Sequence, residues 1–242
     1  MKITIDTLKK SMLNLGHKWF TDRPNIIGIR ATMDIPDVFN DIFCFVWVQS
    51  KMPINLTTKQ KQEWLNDNHY IGKNGLPLKP DGLLGGNTDY ALSEYNNTVG
   101  KERLITNIIT TDPGVFWLNN PINKLGTAVL KPGQYIDCWS IGLHQRKTDH
   151  PAFVQVDRVT VFRDNDGNSN STTIGMKEDN GLFGINIHRG NVNGKTPKIG
   201  RWSAGCQVFQ TKTDLDFILH LCEPYKRIRN RFTYTLIAES NL

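Results

Sequence analysis

Short strand-like segments occupy both ends of the chain but not the residues between them. NIIGIRAT (25–32) and DIFCFVWVQ (41–49) are dense in apolar and aromatic residues and are bounded by turn residues, which is typical of strands. Similar segments return after residue 104: FWLNN, GTAVLKPGQYIDCWSIGLH, AFVQV, VTVFRD, GINIHR and RFTYTLIA. Residues 51–100 are polar, Gly-rich in the middle and helix-prone at both ends. The sequence therefore predicts a mainly β fold of the α+β class, interrupted by a small helical insertion.

Helical periodicity is confined to a few places. An apolar stripe within residues 3–20 predicts one helix, and Thr57 or Thr58 is placed to cap another that runs to about Asn68. Asn87 or Thr88 is placed to cap a third helix. Thr213 is placed to cap a fourth, and its predicted buried face is Leu215, Ile218, Leu221, Cys222 and Tyr225.

Composition narrows the class of protein. In 242 residues, 38% are hydrophobic and 10% aromatic, which is enough for a packed core. No stretch approaches the roughly 20 apolar residues of a membrane span, and the first 20 residues lack a signal-peptide core. We expect synthesis in the cytoplasm without a signal peptide. The net charge of +6 suggests an anionic partner, but the basic residues are scattered, so a generally basic surface, nucleic acid and an anionic cell wall remain open.

Only one of the four cysteines has a polar, glycine-flanked setting. Cys44 and Cys138 fall in apolar strand segments and Cys222 on a helical apolar stripe, so we predict that these three are core residues. The exception is Cys206. Neither a CxxC pair nor an HExxH motif is present, so no metal or other cofactor is expected.

The stretch NIHRGNVNGKTPKIGRWSAGCQVF (186–209) places a histidine and this cysteine where they can meet. Strand alternation directs His188 away from the core face, toward a cleft or solvent. An imidazole that accepts the thiol proton would make Cys206 a nucleophile, and the amides of Gly205 and Cys206 could stabilise an oxyanion. We expect one nitrogen of His188 to be bonded by a backbone carbonyl or by Asn186 or Ser203.

This order of residues resembles the catalytic domain of the L,D-transpeptidases. That family has a histidine, then some 14 to 17 residues, then Ser/Thr-His-Gly-Cys; here 14 residues separate His188 from Ser203, and Gly205 and Cys206 also match. Ala204 stands where the family has a second histidine, and Val208 where it often has arginine. Because of these two departures, the resemblance implies the catalytic residues but not the family's substrate recognition or rate.

The resemblance implies a β-sandwich or barrel core formed by residues 1–50 and 101–242. It implies that Cys206 is the nucleophile and His188 the base, with Ser203 and Gly205 in the catalytic motif. Candidate substrate-binding residues are Arg201 or Arg189 for a carboxylate, together with Asn186, His144 and Trp202. A surface position for His144 is the alternative.

Residues 51–100 resemble the three-helix peptidoglycan-binding motif. Trp64 and Leu65 match its first helix, and Asp81, Gly82, Gly85 and Thr88 match its turn. Ala91 and Tyr95 match the following helix. The alternative is an ordinary Asp-Gly turn before a capped helix.

Together the two resemblances imply a cysteine enzyme that acts on stem-peptide amide bonds of peptidoglycan through a thioacyl-enzyme. A phage-type hydrolase (an endolysin) or a transpeptidase fits, acting at the bacterial cell wall after release or as part of a phage particle. The alternative is an inactive wall-binding or structural protein of the same fold. A nucleic-acid binder is a third class, motivated by charge alone, and we expect no nucleic-acid partner. The oligomeric state stays open.

Overall fold

The computed structural model describes residues 2–33, 35, 37–144 and 150–242. The chain divides into two compact units, Trp47–Arg103 and the remainder, Met1–Val46 with Leu104–Leu242. Both helices and sheets are present, so the predicted α+β class is confirmed. Among the described residues, no helix is long and apolar enough to cross a membrane.

The strands of the described residues are β1 Asn25–Arg30, β2 Asp41–Val48, β3 Glu102–Thr110, β4 Thr127–Leu130, β5 Gly133–His144, β6 His150–Gln155, β7 Val159–Asp164, β8 Lys177–Gly181, β9 Ile187–Arg189, β10 Gln207–Phe209 and β11 Phe232–Ala238. Eight of them close into a mixed ring in the order β1-β11-β5-β6-β9-β10-β3-β2, and three form a second sheet in the order β4-β7-β8. The helices of the described residues are α1 Ile5–Asn14, α2 Thr58–Asp67, α3 Gly86–Thr98, α4 Val115–Asn119 and α5 Lys212–Ile228.

Aromatic side chains from three strands meet inside the ring. The ring of Tyr234 on β11 lies 6.4 Å from that of Phe43 on β2 and 5.5 Å from that of Trp139 on β5, between centroids. The Tyr234 hydroxyl donates to Oε1 of Gln207 on β10 at 3.0 Å, so this buried polar group is satisfied. Gly28 on β1 makes room for it, since a Cβ there would lie 1.8 Å from the hydroxyl oxygen.

We therefore expect Gly28→Ala to destabilise the protein by about 1–3 kcal/mol, because the added methyl forces a fully packed tyrosine to move. Thermal or urea unfolding measures this loss. Gly142→Ala on β5 is the matched control, because its Cβ would meet Val154 at an ordinary 3.5 Å. Equal stability of the two variants would contradict this description of the interior.

The strand predictions were wrong in several places. The segment FWLNN, predicted as a strand, lies mostly within the short helix α4, which begins directly after Gly114. The segment ERLITNIIT, which was not predicted as a strand, forms β3. The strand β8 has the polar sequence KEDNG, which lacks the apolar alternation used to find strands, and it is held by pairing with β7 from Val159↔Gly181 to Arg163↔Lys177.

The unit Trp47–Arg103 has a core of its own, formed by Leu65, Tyr70, Leu78 and Ala91. Gln62 organises its turn: Nε2 donates to Asp81 Oδ1 at 3.2 Å and to Thr88 Oγ1 at 3.1 Å. Its Oε1 accepts from the Gly82 amide at 2.9 Å. The polar residues of the Asp-Gly turn therefore have an internal structural role in this unit.

Three predicted helix caps can be compared with the structure. Of the two predicted caps, Thr57 and Thr58, it is Thr57 that caps α2, through a capping box with Gln60. Neither Asn87 nor Thr88 caps α3, which begins after Gly85, because the Thr88 hydroxyl is engaged by Gln62. The N-cap of α5 is Thr211, two residues before the predicted Thr213.

Candidate functional site

Two short strands bring the histidine and the cysteine of residues 186–209 to one face of the ring. β9 and β10 pair in parallel, with Val208 opposite His188 and Gln207 opposite Ile187. Gln207 faces the interior, so Val208 and His188 face outward. Cys206 lies two residues before Val208 and packs with it beside Ile199. His188 is thus on the same face as Val208, the residue against which Cys206 packs.

The turn before the cysteine is held by its serine and its glycine. The buried Ser203 hydroxyl donates to the Cys206 carbonyl at 2.8 Å and accepts from the Gly205 amide at 3.2 Å. Gly205 has φ +122°, and a Cβ there would lie 2.3 Å from the carbonyl oxygen of Ala128 on β4. Only glycine fits this conformation and this close approach. Ser203 and Gly205 therefore set the position of Cys206.

Gly205→Ala should lower stability by about 2 kcal/mol or more, from backbone strain together with the collision at Ala128. Chemical unfolding measures the loss. Gly194→Ala is the matched control: Gly194 also has a positive φ, +66°, but nothing lies within 4 Å of the added carbon. If both substitutions cost the same, the close approach at Ala128 has no energetic weight.

His188 is fixed in one tautomer. Its Nδ1 lies 2.7 Å from the carbonyl oxygen of Arg189, which only accepts hydrogen bonds, so Nδ1 carries the proton. Nε2 then presents a lone pair, and this buried atom has no hydrogen-bond partner among the described residues. Burial, aided by the charge of His144, lowers the pKa of His188 to about 3. The ring is a neutral acceptor at pH 7.

Cys206 is a neutral thiol in this state. The half-buried Sγ donates to the carbonyl oxygen of Gly184 at 3.4 Å. Burial raises the thiol pKa to about 11, although a backbone hydrogen bond of Asn186 acts in the opposite direction. Because the thiol bonds to Gly184 and the Nε2 of His188 has no partner in the described part of the chain, the two residues form no ion pair at rest.

These pKa shifts predict slow alkylation of Cys206 by iodoacetamide at pH 7.5, since the reactive thiolate is scarce. The rate should be below that of a free peptide of residues 201–211 and should keep rising toward pH 11. Peptide mapping by mass spectrometry reads this cysteine separately from the other three. His188→Gln should leave the resting rate unchanged. A rate that levels off near neutral pH would instead indicate a thiolate–imidazolium pair.

Cys206 opens onto a cavity of about 460 Å³, referred to below as the Cys206 cavity. Its walls are partly apolar, with Trp117, Leu182 and Phe183, and partly polar, with Asn186. Leu182 is 65% exposed at the cavity. A ligand that fills the cavity would lie directly against the thiol.

The arginine of the Cys206 cavity is Arg163, which the sequence did not single out. Its guanidinium donates to Asp179 Oδ2 at 2.8 and 3.0 Å and lies 4.6 Å from the ring centroid of Phe183. The sequence feature that could have identified Arg163 was its place in the strand segment VTVFRD, where a charged residue occupies a buried position. Arg201 instead lies over Phe116 at 3.9 Å, and buried Arg189 donates to the Gly190 carbonyl at 3.0 Å.

The remaining candidates lie in two places. Asn186 bridges two strands: Oδ1 accepts from the Gln155 amide at 2.9 Å, so Nδ2 is the group that donates to Nδ1 of His144 at 3.0 Å. His144 is buried, so its surface alternative is wrong, and its ring stacks on His188 at 3.9 Å between centroids. Trp202 is 43% exposed in the loop before Ser203.

The three cysteines that the sequence predicts to be core residues are buried. Cys44, Cys138 and Cys222 are buried, as predicted, and burial raises the pKa of each thiol. Cys206 is the half-buried exception.

Comparison of the chain with protein-family models, with curated proteins and with solved structures found no match. The functional inference therefore rests on the side chains and their arrangement.

Proposed function

We propose that the protein is a cysteine-dependent acyltransferase or hydrolase that acts on stem-peptide amide bonds of peptidoglycan. The observation that supports the proposal is the pairing of β9 with β10, which puts the unpartnered Nε2 of His188 on the same face as Val208, the residue against which Cys206 packs at the edge of a cavity. The peptidoglycan substrate rests on the resemblance of His188, Ser203, Gly205 and Cys206 to the L,D-transpeptidase motif.

In the proposed reaction, substrate in the Cys206 cavity displaces the thiol from the Gly184 carbonyl, and Sγ turns toward His188. Nε2 of His188 takes the thiol proton as sulfur attacks the amide carbon, forming a carbon–sulfur bond and an oxyanion. The Gly205 amide donates its hydrogen bond to Ser203, so of the two predicted oxyanion donors we propose only the Cys206 amide.

Collapse of the oxyanion breaks the carbon–nitrogen bond, and the leaving amine takes the proton from His188. Water then hydrolyses the thioester, or a second amine captures it. With a pKa of about 3, His188 is a weak base at rest, so the bound substrate would have to raise that pKa before the imidazole takes the thiol proton. Arg163, already aligned by Asp179, is the cation in the cavity wall that would face a substrate carboxylate.

The proposal extends to the rest of the chain. The ring of strands would be an L,D-transpeptidase-like core, and the unit Trp47–Arg103 a peptidoglycan-binding module. The protein would then work at a bacterial wall, as a phage-type lytic enzyme or a cross-linking one. An inactive wall-binding protein of the same fold is the competing outcome of the test.

Cys206→Ala should abolish release or exchange of stem-peptide fragments, a loss of about 10⁴-fold or more. His188→Gln should lower the rate while binding to the wall persists, because the base is lost and most of the shape is kept. Mass spectrometry of muropeptides after incubation with each purified variant measures both effects. Cys138→Ala is the control, expected to lower stability but not activity.

Full activity of Cys206→Ala would contradict the mechanism. Wall binding by the wild type with no change in any muropeptide would instead favour the inactive binding protein.

A further inference from the structure

Three imidazoles converge on the outer face of the ring, and their sequence spacing gave no sign of it. His144 lies at the end of β5, opposite His150 at the start of β6. Phe153 on β6 pairs with Ile187 on β9, so alternation puts His150 and His188 together on the other face. One ring nitrogen from each residue lies within 4.8 Å of the other two.

We propose that His144, His150 and His188 form a binding site for one divalent transition-metal ion of the zinc type. Neutral imidazole nitrogens are preferred ligands of such ions, and three of them leave a fourth position for water or another ligand. This inference does not depend on the proposed enzymatic function.

His188 is the ligand best prepared for a metal. Its Nδ1–H donates to a backbone carbonyl, the outer hydrogen bond that metal-binding histidines typically make. Its Nε2 lone pair is buried, in a residue only 3% exposed, and has no partner among residues 2–33, 35, 37–144 and 150–242. A lone pair in this condition lacks the hydrogen bonds of water, and a metal ion would supply the missing interaction.

The other two rings must adjust. A tetrahedral site with metal–nitrogen bonds of about 2.0–2.1 Å separates its ligand atoms by roughly 3.3 Å, so the nitrogens must draw together by at most about 1.5 Å. The stacked rings of His144 and His188, inclined by 17°, must also turn so that both lone pairs point at one centre. Rotation about side-chain bonds provides such movements.

The hydrogen bond from Asn186 to His144 opposes metal binding at this site. Because its Nδ2 donates to Nδ1 of His144, the proton of neutral His144 is on Nε2, where a metal would have to displace it. Asn186→Asp would replace that donor by a carboxylate that accepts from Nδ1–H and keeps the bond from the Gln155 amide. We expect this substitution to tighten metal binding about tenfold.

The test is titration of the purified full-length protein, first dialysed against a chelator, with Zn²⁺ by isothermal calorimetry. We expect one ion per chain, and at least a tenfold loss of affinity in His144→Gln and in His150→Gln. His220→Gln, an exposed histidine on α5, and Cys206→Ala are the controls and should bind as the wild type does. Circular dichroism establishes that each variant is folded.

X-ray absorption of the zinc-loaded wild type reads the ligands without any substitution. Three nitrogens at about 2.0 Å would support the site. Absence of stoichiometric binding, unchanged binding in both histidine variants, or sulfur among the ligands would overturn it. These readouts do not involve activity, so failure of the metal site is distinct from failure of the catalytic proposal. If both hold, zinc occupies Nε2 of His188 and should inhibit the enzyme.

Discussion

The parallel pairing of β9 and β10 is the constraint on which the candidate site depends. Parallel neighbours need a long connection, and here residues 190–206 make it before the chain returns beside Ile187. The return is possible only because Gly205 passes close to Ala128. Before β9, Trp139 Nε1 donates to the Ile185 carbonyl at 2.7 Å and fixes the segment that leads into this strand. A one-residue slip would turn His188 into the interior.

The resting site is built from neutral groups, and this has consequences for both proposals. A buried imidazole and a half-buried thiol cannot exchange a proton cheaply, because each charge would be poorly solvated. In the proposed reaction, substrate would therefore have to supply part of the stabilisation when it fills the Cys206 cavity. The same buried, neutral Nε2 of His188 is what suits a metal ion. Base and ligand are mutually exclusive roles for one lone pair, so metal occupancy would regulate the proposed chemistry.

The local sequence pattern was enough to predict most strands, because segments such as 41–49 are so rich in apolar residues that their composition alone indicates burial. It was enough for Cys44, Cys138 and Cys222 for the same reason. It failed for β3, whose first seven residues are only partly buried or exposed, for β8, whose polar residues are held by pairing, and for α4. The cluster of His144, His150 and His188 depends on which strands become neighbours in the ring, and no short window of sequence contains that information. The hydrogen bond from Gln62 to Thr88, which engages the hydroxyl of a predicted helix cap, is likewise a tertiary contact.

We propose that Cys206 carries a covalent acyl group during turnover. The decisive measurement is intact-protein mass spectrometry after rapid acid quench of the protein with purified muropeptides. We expect a mass increase equal to a stem-peptide acyl fragment, located on the peptide that contains Cys206 and absent from Cys206→Ala. Turnover of muropeptides without such an adduct, or an adduct on another residue, would contradict it.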